Sequence, residues 1–248
     1  MSEPFTVEMM AEKAWLWRCL HGGPLTAASL DAPVADGQAP WAQFRDRNRT
    51  FLRNLAATYG ASAVVARSGD SVIGHLRFYP KAVRDLAPQG LGLCLQQEYP
   101  YGPAEDLGHR AFPKLGEIAD KTLLVHCMML APDGPGGGSY RRKGIGTRMA
   151  GTLIEWAAAN GWEAIEATAY EALPVIYASS GQADRRFWEA LGFCLVRAER
   201  EPALETESEF VRTMRKEALA QGLDPSKISN KYLMRLELKP GAGPATKG

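Results

Sequence analysis

The apolar positions change their period once in the middle of the chain, and this change is the clearest structural signal in the sequence. Residues 121–130, KTLLVHCMML, form a nearly continuous apolar run, which is typical of a strand covered on both faces. From Ile145 onward apolar residues recur at helical spacing, and Asn160 followed by Gly161 provides a left-handed stop. The pattern therefore predicts a buried strand, a glycine-rich loop and an amphipathic helix that packs on a sheet.

Shorter patterns predict the other elements of an α/β domain. Two alternating runs flank the sequence Ser68-Gly69-Asp70, which is typical of a β-hairpin. Helical spacing precedes this hairpin in two places, and strands alternate with helices after the central helix. The predicted helices cover residues 7–20, 41–59, 183–191 and 205–221, and the further predicted strands cover residues 62–67, 71–79, 162–170, 193–197 and 231–238.

Residues 84–120 interrupt these patterns with prolines and glycines. A structureless loop of this length is unusual inside a domain, so we expect an ordered insertion or lid. Residues 91–95 alternate in polarity and predict one short strand within it. Its aromatic and histidine side chains either line an acceptor pocket or pack in the core: Tyr99, Tyr101, His109 and Phe112.

Composition and charge narrow the class of protein. The chain has 248 residues and a formal net charge of +1, which argues against bulk binding to nucleic acid or to an anionic membrane. No apolar run approaches the ~20 residues of a membrane span, and the first residues lack a signal-peptide pattern. The four cysteines form no C-x-x-C pair, which predicts reduced thiols rather than disulfides or a zinc site. We therefore expect a cytoplasmic enzyme without a metal.

The turn before the central helix combines three cations with two glycines, in the sequence Arg141-Arg142-Lys143-Gly144-Ile145-Gly146. A helix start offers unpaired N–H groups and a partial positive charge, and glycines let a phosphate approach the backbone. The cations add charge-assisted contacts. The turn matches neither G-x-x-x-x-G-K-[ST] nor G-x-G-x-x-G. It is either an anion site of another kind or a solvated basic turn.

The strand, the Arg141-x-x-Gly144-x-Gly146 turn and the helix resemble the acyl-CoA pyrophosphate site of the GNAT N-acetyltransferase superfamily. Downstream, residues 187–193, FWEALGF, are similar to a helix-to-strand junction of that superfamily, often written FYEKLGF. The resemblance covers about residues 60–200 and is strongest over 121–197.

The resemblance implies a fold and a division of the chain. The fold is a GNAT-like α/β twisted mixed sheet with helices on both faces, in which the last two strands pair as a hairpin. The expected parts are an N-terminal helical extension at 1–60, a GNAT-like domain at 61–240 with insertions at 84–120 and 203–228, and a disordered tail at 241–248.

The resemblance also implies acetyl-CoA as cosubstrate, lying across the 121–130 strand and over the 141–147 turn. Transfer would be direct, in a ternary complex, with a backbone N–H of the strand holding the oxyanion. The residues implied for cofactor binding are Cys127, Met128, Met129, Arg141, Arg142, Lys143, Gly144, Ile145, Gly146, Thr147 and Trp188.

Acetyl transfer to an amine needs a base, because a lysine-like amine with a pKa of about 10.4 is protonated at neutral pH. His126 interrupts an apolar strand and has an ordinary pKa near ~6.5, so it is one candidate; it is otherwise a hydrogen-bonded core histidine. Glu166, inside the next predicted strand, is the other, unless an arginine pairs with it. Trp188 stands where many superfamily members have an acidic tyrosine, so either Tyr177 or solvent would protonate the thiolate.

The function implied is transfer of an acetyl group from acetyl-CoA to a primary amine. A small-molecule amine and a protein amine, at an N-terminus or a lysine, are both open, and a homodimer is possible. The alternative from another class is a non-catalytic module that binds or senses acyl-CoA, because Trp188 replaces the usual tyrosine.

Overall fold

A mixed seven-stranded sheet runs through the computed structural model, which describes residues 5–11, 16–20, 22–31, 45–86, 107–132 and 140–239. The strands lie in the order β1-β2-β3-β4-β5-β7-β6. Only β4 and β5 are parallel neighbours, and every other neighbouring pair is antiparallel. The predicted strand at 91–95, Tyr99, Tyr101 and the predicted tail at 241–248 lie outside the described residues.

The strands are β1 Thr6–Met10, β2 Ala63–Ser68, β3 Ser71–Pro80, β4 Thr122–Leu130, β5 Ala164–Ala169, β6 Cys194–Arg200 and β7 Asn230–Glu237. The helices are α1 Ala27–Asp31, α2 Arg45–Tyr59, α3 Lys81–Asp85, α4 Ile145–Ala159, α5 Pro174–Ser180, α6 Arg185–Ala190 and α7 Glu209–Ala220. The longest described helices, α2 and α4, have 15 residues each, and no helix in the described ranges is both long and apolar enough to cross a bilayer.

The central prediction of a strand followed by a helix is confirmed by β4 and α4. The helix ends at Asn160, and Gly161 follows with φ +80°, a backbone conformation that favours glycine. Its buried face packs against the sheet, where the side chain of Met149 approaches Gly74 of β3. The buried residues of α4 are Ile145, Met149, Ala150, Leu153 and Ala157.

The two predicted hairpins are also confirmed. β2 and β3 pair on either side of the Gly69 turn, and β6 pairs with β7 although α7 lies between them in the chain. Helix α7 therefore is an addition to the hairpin, as the resemblance implied. It packs with α5 in a small apolar cluster separate from the main core: Leu173, Ile176, Val211, Met214, Ala218 and Ile228.

The predicted helix over residues 7–20 is wrong. Thr6–Met10 is an edge strand that pairs antiparallel with β2, and residues 16–20 have no helical structure. The apolar side chains of Val7 and Met9 alternate with polar ones, which suits one half-buried face of a strand. That period-two signal is only five residues long, so the wider helical spacing obscured it.

A β-bulge interrupts the pairing of β3 with β4. Arg77 pairs with Cys127 and Phe78 pairs with Val125, so His126 is the extra residue on β4. On the other edge of β4, the parallel pairing with β5 ends where Val125 meets Ala167. The two central strands therefore separate from His126 onward.

The described part of the predicted insertion packs on α2. Phe112 is buried, with its ring 5.8 Å from Phe51 and 6.3 Å from Tyr59. Asn54 donates hydrogen bonds to the carbonyls of residues 108 and 110, at 3.1 and 2.8 Å. Of the two roles considered for Phe112, the structure gives the core role, whereas His109 is exposed.

We predict that Phe112→Ala lowers the free energy of unfolding by about 3 to 4 kcal/mol, because a buried aromatic ring leaves a cavity. Urea denaturation measures this change. Leu219→Ala is the control at an exposed apolar residue (66% exposed), where we expect less than about 0.5 kcal/mol. A loss below about 1 kcal/mol for Phe112→Ala would contradict the packing of this segment on α2.

Candidate active site

The gap between β4 and β5 is occupied by the segment 177–182 of the chain itself. Met128 N–H donates to Gly181 O at 2.7 Å, and Leu130 N–H donates to the Tyr177 hydroxyl at 3.0 Å. Gln182 Nε2 donates to His126 O at 2.6 Å. These three bonds occupy alternate backbone groups along the open edge of β4.

Two cavities lie on either side of Gln182, which lines both. We call them the Met128 cavity, about 220 Å³, and the His126 cavity, about 180 Å³. The Met128 cavity is bordered by Tyr177, Asp184 and Phe187 among others. The His126 cavity is lined by His126 and, among others, by Tyr79, Arg84, Glu166 and Thr168. The sequence-predicted residues His126 and Glu166 therefore face one space.

The basic turn adjoins the Met128 cavity. A Cβ on Gly146 would lie 3.4 Å from Met128 Cε and 3.6 Å from Phe187 Cε2, and both side chains line that cavity. The guanidinium of Arg141 lies 5.1 Å from the centre of the Tyr177 ring, a third lining residue. The predicted anion site and the Met128 cavity are thus neighbours rather than separate surface features.

The backbone of the turn is left-handed at two positions, with φ +58° at Arg142 and φ +77° at Gly144. The conformation costs an L-residue roughly 1 to 2 kcal/mol, so Arg142 holds its position at an energetic cost. Residues 141–144 are exposed, and the first helical bond back runs from Arg148 N–H to Gly144 O at 2.9 Å. The N–H groups at the start of α4 therefore remain available to an anion.

His126 differs from the sequence prediction in its acidity. Desolvation, and then the positive charge of Arg77, lower the pKa of its imidazole to about 3, whereas the sequence suggested a value near ~6.5. Its ring lies 5.8 Å from the Tyr79 ring, and its buried Nε2 has no hydrogen-bond partner within the described ranges. The side chain is therefore neutral near pH 7 and a weak base.

Glu166 is paired with an arginine, which is the alternative that the sequence left open. Arg235 stands opposite it on β7 and donates from Nη1 to the Glu166 carboxylate at 2.8 Å. The same guanidinium also contacts Thr122 and Glu237. Because Glu166 still lines the His126 cavity, the pair holds a carboxylate at the wall of that cavity.

Tyr177 lies at the wall of the Met128 cavity. Burial raises the pKa of its phenol, so the group keeps its proton at neutral pH. The hydroxyl oxygen accepts from Leu130 N–H, which leaves the O–H hydrogen to donate toward the cavity.

Of the three β4 residues predicted to bind the cofactor, only Met128 directs its backbone N–H into the gap. Backbone N–H groups alternate along a strand, so those of Cys127 and Met129 point toward β3. The side chain of Cys127 is buried and lies 3.5 Å from His75 Nε2, away from both cavities. The Met128 N–H, which lies on the gap side of the strand, donates to Gly181 O.

Trp188 is a core residue, contrary to its predicted role at the cofactor. Only 1% of its surface is exposed, and its ring packs at 5.0 Å from Phe187 and 4.9 Å from Phe193. Its neighbour Phe187 lines the Met128 cavity instead. Within the superfamily-like motif, Phe187 and not Trp188 therefore borders this cavity.

Sequence reasoning did not find two other lining residues, Gln182 and Phe187. Phe187 lay within the recognised motif, and its position one residue before Trp188 was the available signal. Gln182 had no such signal, because its role depends on a tertiary contact with His126 O across 56 residues.

The mixed sheet, the pairing of the last two strands and the turn between β4 and α4 agree with the fold that the resemblance implied. The described residues have the α/β architecture with a mixed sheet that the resemblance implied. No protein-family model and no curated protein matches the sequence.

Several solved structures are similar over nearly the whole chain. An apo agmatine N-acetyltransferase variant shares 14% identity, over 94% of this chain and 99% of its own, with a TM-score of 0.48. A GNAT-family acetyltransferase from Streptococcus pneumoniae shares 12%, over 95% and 100%, with a TM-score of 0.48. Drosophila melanogaster polyamine N-acetyltransferase shares 12%, over 95% and 100%, with a TM-score of 0.46.

We predict that His126→Gln removes part of the acid sensitivity of the fold. The unfolded chain binds a proton on His126 at a pKa of about 6.5, but the folded chain does so only at about 3. The free energy of unfolding therefore falls as the pH drops below about 6.5.

Between pH 7 and pH 5 this contribution amounts to about 2 kcal/mol, which the variant lacks. Urea denaturation at both pH values measures the difference, with His109→Gln as the matched control at an exposed histidine. Equal pH slopes for the wild type and His126→Gln would show that His126 is not desolvated.

Proposed function

We propose that the chain is an N-acyltransferase that moves an acetyl group from acetyl-CoA to a primary amine by direct attack. One observation supports this most: the basic turn adjoins the Met128 cavity, His126 and Glu166 line the other cavity, and Gln182 lines both. A donor bound at the turn and an acceptor bound beside Glu166 would meet there.

On the donor side, the N–H groups of residues 145–147 would hold the diphosphate of CoA, with the cations of residues 141–143 beside them. The bound thioester supplies an activated acetyl group. Met128, Tyr177 and Phe187 would contact the arm that leads from the diphosphate toward the thioester. We leave Cys127, Met129 and Trp188 out of the proposed contacts, because the N–H groups of Cys127 and Met129 lie on the β3 side of the strand and Trp188 is buried.

On the acceptor side, the amine must lose a proton before it attacks, which costs roughly 4 to 5 kcal/mol for a lysine-like amine at neutral pH. We assign the base to Glu166, directly or through water, because its carboxylate lines the cavity, whereas burial lowers the pKa of His126 to about 3. His126 would instead accept or donate a hydrogen bond as a neutral imidazole. We therefore assign His126 to orienting the amine.

The size of the His126 cavity favours a small amine over a peptide. About 180 Å³ holds only a short chain, and Arg84 of α3 lies in its wall. A protein N-terminus or lysine stays a second acceptor class, since only the amine end would need to enter.

A non-catalytic acyl-CoA-binding module is favoured by a specific observation. The Met128 N–H that would hold the oxyanion already donates to Gly181 O at 2.7 Å. Catalysis requires the 177–182 segment to release that donor, whereas binding of the diphosphate does not. Release of free CoA thiol from acetyl-CoA with a panel of primary amines distinguishes the two, because the binding module gives none with any amine.

We predict that Gly146→Trp weakens CoA binding about a hundredfold, because the indole would project onto Met128 and Phe187 and block the cavity beside the turn. Isothermal titration calorimetry with CoA measures the change. Gly151→Trp is the matched control on the same helix, since its Cβ position meets nothing within 4 Å. Unchanged affinity in folded Gly146→Trp would place the CoA site elsewhere.

We predict that Tyr177→Phe lowers kcat about tenfold to a hundredfold with little change in KM, if the hydroxyl protonates the departing thiolate. The loss is modest because a raised pKa makes the phenol a weaker acid. Steady-state kinetics with a saturating amine measures it. Tyr170→Phe, another partly buried tyrosine with a raised pKa, serves as the control outside the Met128 cavity. Full activity of Tyr177→Phe would assign the proton to solvent.

A further inference from the structure

A second cluster of reactive side chains lies beside the candidate active site and has no part in the proposed reaction. Cys19, His75 and Cys127 come from the N-terminal segment, from β3 and from β4, and their ligand atoms all lie within 4.8 Å of one another. His75 and Cys127 are buried, and Cys19 is partly exposed. Widely separated parts of the chain therefore bring two thiols and an imidazole to one point.

We propose that this cluster binds a zinc ion through Cys19 Sγ, His75 Nε2 and Cys127 Sγ. Thiolate sulfur and imidazole nitrogen are the ligands that Zn²⁺ prefers, and hard cations such as Mg²⁺ and Ca²⁺ avoid them. Three protein ligands leave the fourth tetrahedral position to water or another small ligand. The sequence predicted no zinc site, because the cysteines are 108 residues apart and form no ligand pair.

The spacing of the ligand atoms fits a tetrahedral ion. Zn–S bonds of about 2.3 Å and Zn–N bonds of about 2.0 Å, at a tetrahedral angle, put sulfur and nitrogen about 3.5 Å apart. Cys127 Sγ and His75 Nε2 are 3.5 Å apart. The third ligand, Cys19 Sγ, lies within 4.8 Å of both, where about 3.8 Å would suit a second sulfur. A shift of about 1 Å in a partly exposed side chain completes the geometry.

Arg77 is a charged residue in contact with this cluster. Its Nη1 lies 3.6 Å from Cys19 Sγ, and its Nη2 donates to the carbonyls of Leu16 and Arg18 at 3.0 and 2.7 Å. The guanidinium repels a cation, but it stabilises a thiolate through a charge-assisted N–H···S contact. Two thiolates neutralise the zinc charge, so the filled site adds no net charge to the buried region.

Binding exchanges protons for the metal. Each thiol loses its proton as the Zn–S bond forms, and the neutral imidazole binds through Nε2, so two protons leave for each ion bound. No oxidant or reductant takes part. The ion would tie the N-terminal segment at Cys19 to β3 and β4, next to His126 in the chain, and so stabilise the wall behind the His126 cavity.

The test uses the full-length chain, purified under reducing conditions, treated with a chelator and then titrated with Zn²⁺. Metal content after desalting is measured by mass spectrometry, and Co²⁺ is used as a spectroscopic probe of thiolate ligation. We expect about one zinc ion per chain, a thiolate-to-cobalt charge-transfer band and a higher Tm with zinc.

The variants Cys19→Ser and His75→Gln should each retain less than about 0.2 zinc ions per chain and show no rise in Tm with zinc. Cys194→Ser, at an exposed cysteine of β6, is the matched control and should bind like the wild type. Cys19→Ser is the more informative of the two variants. Cys19 is partly exposed, whereas His75 is buried, so we expect this substitution to perturb folding less. Circular dichroism confirms that each variant is folded.

Three outcomes would overturn the proposal. The folded wild type could bind no zinc and show no charge-transfer band with cobalt. Cys19→Ser could bind zinc as well as the wild type does. The oxidised protein could contain a Cys19–Cys127 disulfide while the reduced protein takes up no metal, in which case the cluster is a pair of redox-active thiols.

Discussion

The candidate active site depends on one extra residue in β4. Because His126 is inserted opposite the step from Arg77 to Phe78, the strand bends at that point and its ladder with β5 ends after Val125 and Ala167. A regular β4 would continue the parallel pairing and close the sheet. The gap, both cavities and the open edge of β4 all follow from this local departure from strand geometry.

The same bulge sets the chemistry of the residues around it. It places the imidazole of His126 in a desolvated position under the influence of Arg77, which lowers its pKa and keeps the side chain neutral. On β5, the carboxylate of Glu166 lines the same cavity and accepts a hydrogen bond from Arg235 of β7, which stands directly opposite. Neighbouring strands thus present an imidazole and an arginine-paired carboxylate to the same space.

The sequence predicted the elements whose signals are local. The change from a continuous apolar run to helical spacing located β4 and α4, and the glycines and cations of residues 141–146 located the turn. The strand β1 was missed because five residues give too short an alternating pattern. At the candidate site, the sequence singled out His126 and Glu166 because polar residues are rare in buried strands.

Several properties of the site depend on contacts between residues far apart in the chain, and these could not be predicted from the sequence. Burial in the folded chain, and then the charge of Arg77, 49 residues earlier, lower the pKa of His126. The occupied N–H of Met128 depends on Gly181, and the thiol cluster depends on β3 and β4 being neighbours. None of these has a counterpart in residue spacing.

The segment 177–182 has a consequence for how any ligand would enter the gap. Its peptide carbonyl, phenol and amide already satisfy the edge of β4, so an incoming acyl arm would exchange one set of hydrogen bonds for another. Such an exchange is nearly neutral in free energy, because as many bonds are broken as are made. Affinity would then come from the charged diphosphate and from apolar contacts. The hydrogen bonds of the arm would set its position along β4 and would add little to the affinity.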